Sequence, residues 1–127
     1  MICVVDTSAW IEWLIRSATG ERVAKVFPRR ENQIVPTIVQ LELAHWLARE
    51  TTADAVTRVL ADSEKCIVAP LDTRIALKAA ALKREHRLAT ADAIVYATAL
   101  THHADLLTCD AHFEGLERVV YLAKTAR

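Results

Sequence analysis

Glycine is nearly absent: Gly20 and Gly115 are the only two in 127 residues. Loops that cradle phosphates with backbone N–H groups need glycines at fixed positions, so P-loop and Rossmann dinucleotide sites are excluded. Any chemistry here belongs to side chains. Cysteine is scarce as well. Cys3, Cys66 and Cys109 are odd in number, far apart and without neighbouring Cys or His pairs, which argues against a disulfide framework or a zinc site. They read as small buried hydrophobes in a reducing cytosol. No uncharged run approaches the ~18 apolar residues of a membrane span. The N-terminus lacks a basic segment, and Asp6 interrupts its apolar run, so no signal peptide is expected. The expectation is a soluble, cytoplasmic protein with no membrane partner. Net charge is also missing, because sixteen basic and sixteen acidic side chains cancel. Nucleic-acid binding would then need a local patch of cations.

What is present is a regular alternation of short apolar runs and longer amphipathic stretches. The length fits a single domain, residues 1–127, able to bury roughly two-thirds of its unfolded surface without staples. Ile2-Cys3-Val4-Val5 is a continuous apolar run ending in Asp6, Thr7 and Ser8, as in a strand buried on both faces of a parallel sheet. A helix carrying Trp10, Ile11, Trp13 and Leu14 follows, then a second from Gly20 to Phe27. Further strands are expected at 33–36, 66–69, 106–109 and 119–122. Between them the spacing predicts helices over 37–50, 53–62 and 72–85, and one beginning with Thr90 as its cap. Strands alternating with helices imply an α/β fold, with helices on both faces of a parallel sheet of about five strands.

Four acids stand out. Asp6 and Asp110 each close an apolar strand, where open α/β sheets place their ligands. Glu42 shares a helical row with Ile38 and Trp46, and an ionised carboxylate in an apolar stripe is costly unless paired or bound to metal. Asp92 follows Thr90 by two residues. Each has an ordinary alternative: Asp6 and Asp110 as caps, Asp92 as an acid favoured by the helix dipole, Glu42 as an edge residue of its helix. Brought within about 4 Å, like charges repel by ~4 kcal/mol at an effective dielectric of 20. A set of oxygen ligands with no nitrogen or sulfur selects Mg2+ or Mn2+ over zinc. Thr7, Ser8 and Thr108 add hydroxyls suited either to holding a metal's water or to capping.

In its ordered stretches VVDTSAWIEWL (4 to 14), VPTIVQLELAHWL (35 to 47), TADAIVYATAL (90 to 100) and LLTCDAHFEGL (106 to 116), the chain resembles a PIN domain, specifically a small VapC-type toxin ribonuclease. The resemblance implies a three-layer α/β/α sandwich and metal-dependent cleavage of RNA. It assigns Asp6, Glu42, Asp92 and Asp110 to the catalytic and metal site, and implies a VapB-like antitoxin and a homodimer. Many relatives carry a hydroxyl residue three positions before the helical Glu; here Val39 stands there.

Two patches are candidates for gripping RNA phosphates: Lys83, Arg84, His86 and Arg87 before Thr90, and Arg29 with Arg30. Solvated surface is the plain alternative for both. Trp10, Trp13 and Trp46 are candidates for an antitoxin groove, with core packing the alternative. His102 and His103 read as loop residues. A receiver domain would need an Asp after its third strand, where Ala69-Pro70 stands, and a haloacid-dehalogenase-type phosphatase would need one at Ser8. A PIN nuclease without a toxin role and a catalytically silent interaction module remain as alternatives.

Overall fold

Strands and helices alternate along the whole computed structural model, which describes residues 2–125. In chain order they are β1 (Cys3–Val5), α1 (Thr7–Ile15), α2 (Ala18–Ala24), β2 (Gln33–Pro36), α3 (Thr37–Glu50) and α4 (Ala53–Glu64). After them come β3 (Ile67–Ala69), α5 (Thr73–His86), α6 (Thr90–Thr101), β4 (Asp105–Thr108) and β5 (Val119–Tyr121). The strands form one parallel sheet in the order β3-β2-β1-β4-β5. The chain runs outward from β1 to β3, then returns across β1 to build β4 and β5. Right-handed crossovers in opposite directions put α1–α4 on one face and α5–α6 on the other. The result is the expected α/β/α sandwich.

The reversal of strand order falls between β1 and β4, and crevices at such switch points lie outside the carboxyl ends of the strands. Val5 is level with Leu107 in this pair, so Asp6 comes level with Thr108. Val4, Val5, Leu106 and Leu107 are buried, which suits the continuous apolar runs of a sheet covered on both faces. The edge strand β3 differs, with Ile67 and Val68 exposed.

Some local expectations need correction. Cys66 lies just outside β3 and, like Cys3, is only half-buried, while Cys109 is buried; all three thiols are free. The second helix is α2, which starts earlier because the Ser17 hydroxyl accepts the Gly20 N–H at 2.9 Å as a cap. It ends before Phe27. Thr90 is not a cap: Ala89 holds that position, without a side-chain bond. The Thr90 hydroxyl instead receives Lys83 Nζ at 3.2 Å. Asp72 does cap α5, accepting from Ile75 N at 2.9 Å.

Glycine scarcity leaves other residues to end helices, and Arg16 and Arg87 close α1 and α5 in the left-handed region. Gly20 is required for a different reason. A Cβ there would overlap the Glu12 carbonyl where α2 crosses the end of α1. Gly20→Ala should therefore cost about 1–3 kcal/mol through overpacking, read as a lower urea midpoint at unchanged slope. An unaltered midpoint would show that the two helices separate freely.

Candidate metal centre

Asp6 occupies the N-cap position of α1, yet its side chain makes no capping bond. The residue is only 5% exposed, and one carboxylate oxygen, Oδ2, accepts two hydroxyls: Ser8 Oγ at 2.8 Å and Thr108 Oγ1 at 2.8 Å. Both hydroxyls have their single proton on Asp6. Their lone pairs face backbone instead, Ser8 Oγ accepting from Cys109 N and Thr108 Oγ1 from Asp110 N, each at 3.0 Å. The loop after β4 is thus tied to the end of β1 through the acid itself. Burial raises the Asp6 pKa, against the two hydroxyl bonds, and the charges of Glu42 and Asp110 raise it further.

Glu42 projects from the second turn of α3, where Thr7 Oγ1 donates to its Oε1 at 2.7 Å. The hydroxyls were expected beside the acids, and all three bond to an acid directly. Val39, where a hydroxyl residue is usual, is buried in the core.

Asp92 sits in the first turn of α6. Its pKa is pushed up to about 6, first by burial, then by the charges of Asp110 and Asp6, with His112 opposing and Glu42 adding to the rise. Asp110 follows β4 and does act as a cap, its Oδ1 accepting His112 N at 2.9 Å in the 3-10 turn Ala111–Phe113. The four acids therefore interact as one electrostatic cluster at the switch point, drawn from β1, α3, α6 and the turn after β4.

Sequence reasoning passed over His112. Its Nδ1 lies 2.9 Å from Asp110 Oδ1 and 3.8 Å from Asp92 Oδ2. Asp92, Asp110 and His112 form the one group of acids, histidines or cysteines among the described residues whose ligand atoms all lie within 4.8 Å. His112 thus places a nitrogen beside the oxygen donors expected from the sequence. Its position two after Asp110 was the available signal. Like charges crowded onto carboxylates whose pKa values are raised suit a divalent cation, so the donor set fits a metal.

Beside Ser8 and Asp110 opens a cleft of about 460 Å³, with Tyr121 and Lys124 on its walls. Lys124 was not foreseen. Lys83, Arg84 and Arg87 are exposed at the end of α5, and Lys83 reaches the first turn of α6 through Thr90, next to Asp92. Arg29 and Arg30 are elsewhere. They precede β2 and so lie at the amino ends of the strands, the opposite edge from the acids, where Arg30 pairs with Asp62 at 3.4 Å. They are not part of this site's rim.

The tryptophans also divide. Trp10 is 3% exposed and packs edge-on against Trp13 and Phe27, at 5.8 and 5.3 Å between ring centroids. It is a core residue, and it also lines the smaller of the two surface cavities beside Trp13. Trp13, stacked on Phe27 at 4.2 Å, is half-buried and lines two surface cavities of about 400 and 280 Å³ against α2 and α4. Trp46, half-buried on α3, lines neither. No helix among the described residues is long and apolar enough to cross a membrane.

The family model described as the PIN domain matches residues 3–119. No curated protein matches the chain. Among solved structures, a toxin-antitoxin complex from Klebsiella pneumoniae is similar with a TM-score of 0.83 at 21% identity, covering 97% of this chain and 99% of that one. DNA-bound VapBC from Salmonella typhimurium has a TM-score of 0.69 at 17% identity, covering 97% and 99%. VapC20 of Mycobacterium tuberculosis, a Sarcin-Ricin loop cleaving toxin, has a TM-score of 0.75 at 17% identity, covering 92% and 96%.

Proposed function

The chain belongs to the PIN domain family, and from that premise we propose that it is a metal-dependent endoribonuclease, the toxin of a VapBC-type toxin–antitoxin pair. One observation carries the reading most directly: Asp6, Glu42, Asp92 and Asp110 converge on the switch point with raised pKa values at Asp6 and Asp92. RNA as substrate draws support from the similar Sarcin-Ricin loop cleaving toxin.

A divalent cation, Mg2+ or Mn2+, would be held by the four acids and supply positive charge at the scissile phosphate and a more acidic attacking water. Ser8 and Thr108 lock the rotamer of Asp6, so its second oxygen keeps a fixed direction, and Thr7 does the same for Glu42. Lys83, Arg84 and Arg87 on one side and Lys124 on the other would hold the phosphates of the bound strand.

The cavities beside Trp13, with Leu14 on both walls, offer an antitoxin segment an apolar groove. A homodimer has a candidate face at the exposed Leu71 and Leu77. Excess chelator should abolish cleavage of a loop-bearing RNA, and added Mg2+ or Mn2+ should restore it. Full activity in chelator would overturn the metal-dependent reading.

A further inference from the structure

We propose that His112 supplies a nitrogen ligand to the cation shared by Asp92 and Asp110, and that the site thereby binds Mn2+ in preference to Mg2+; this rests on the metal-dependent reading above. Two donors each about 2.1 Å from one six-coordinate ion stand about 3.0 Å apart when adjacent and about 4.2 Å apart when opposite. His112 Nδ1 stands 2.9 Å from Asp110 Oδ1, the separation of adjacent ligands, and 3.8 Å from Asp92 Oδ2, between the adjacent and opposite values.

The chain holds the ring there by its backbone. His112 N donates to Asp110 Oδ1, and Phe113, the next residue, is fully buried. The turn is pinned on both sides of the ring. The side chain itself is 77% exposed, so packing does not account for its place against two acids. Without metal, Nδ1 lies in ion-pair contact with Asp110 Oδ1. A ligating Nδ1 carries no proton, which leaves the second ring nitrogen to hold one.

Nitrogen in the donor set alters the preference of the site. Mg2+ keeps several waters and takes one or two carboxylates, gaining little from an imidazole. Mn2+ accepts the same oxygens and, as the lowest member of the transition-metal series, gains more from an imidazole than Mg2+ does but less than zinc, iron or nickel.

Calorimetric titration of the metal-free protein with each chloride salt tests this, together with pulsed electron paramagnetic resonance of the Mn2+-loaded protein. Wild type should bind Mn2+ at least about tenfold tighter than Mg2+ and show modulation from a directly bound nitrogen. His112→Ala should lose that modulation and about tenfold in Mn2+ affinity, with Mg2+ affinity changed by less than about threefold. Absence of the nitrogen signal in wild type, or equal loss for both ions, would overturn the inference. Asp110→Asn separates it from the wider reading. If Asp110→Asn loses both ions while His112→Ala matches wild type, the imidazole ligand fails and the acidic metal site stands. If Asp110→Asn binds both ions as wild type does, the acidic metal site itself fails.

Discussion

Asp6→Asn should fold as wild type does and cleave RNA at least about a thousandfold more slowly. The fold is preserved because the substitution is isosteric and the interaction that ties the sheet together survives it. Oδ2 is purely an acceptor, receiving Ser8 and Thr108, and an amide oxygen can accept both. Those hydroxyls in turn keep Cys109 N and Asp110 N satisfied. Removing a charge that burial already disfavours also relieves a desolvation cost. Activity fails because the lost negative charge is the one nearest the crevice floor. Metal-based stabilisation of a phosphoryl transition state is worth several kcal/mol, and about 4 kcal/mol is a thousandfold. Circular dichroism and melting temperature check the first half, and single-turnover cleavage checks the second. A well-folded variant retaining more than a tenth of wild-type activity would remove Asp6 from the reaction. Thr108→Val is an instructive contrast. It leaves the charge in place but withdraws the acceptor of Asp110 N, so it acts through position and stability together.

Asp6 and Asp110 were legible because each interrupts an apolar run at the point where a strand must end, and the end of an interior strand has few positions to offer. Their proximity was not legible. It depends on β4 pairing with β1 instead of extending the sheet beyond β3, a long-range choice that no local pattern records. The helices over 37–50 and 72–85 were readable to within a residue because their periodicity is long and Asp72 is a capping residue. The start of α6 misled, since Thr90 looks like a cap while Ala89, which cannot make a side-chain bond, takes that place. Arg29 and Arg30 were misassigned because charge alone does not state which sheet edge a loop occupies. In a parallel α/β fold, residues just before a strand lie at its amino end, away from the crevice, and that rule would have excluded them. His112 went unread because an imidazole beside an acid has no periodic signature; only the tight turn after β4 folds it back onto Asp110 and Asp92.

Asp92→Asn should raise the melting temperature of the metal-free protein at pH 7 by about 3–5 °C. Two effects oppose each other at this position: the helix dipole favours an acid in the first turn of α6 by ~0.3–1 kcal/mol, while burial and the neighbouring acids disfavour it. The folded pKa of about 6, against 3.8 for an ordinary Asp, says that the second effect wins. Between those values the folded protein binds more protons than the unfolded chain, so wild-type stability falls as pH rises from about 4 through 6. Above pH 6 the penalty is fully present, and with solvent screening it amounts to about 1 kcal/mol, which sets the expected shift. The variant lacks this ionisation, so its advantage over wild type should vanish below about pH 4. Asp92 is a cleaner probe than Asp110, whose carboxylate also caps the following turn through His112 N. Cation should invert the order. At about 100 times its dissociation constant, a ligand specific for the folded state adds ~2.7 kcal/mol to wild type, and the variant should forfeit much of it. Scanning calorimetry of both proteins, with chelator and with Mn2+, at pH 4 and pH 7, gives the four comparisons. A variant that melts lower than wild type in chelator at pH 7, and gains equally from Mn2+, would make Asp92 an ordinary helix-start acid and break the four-carboxylate cluster.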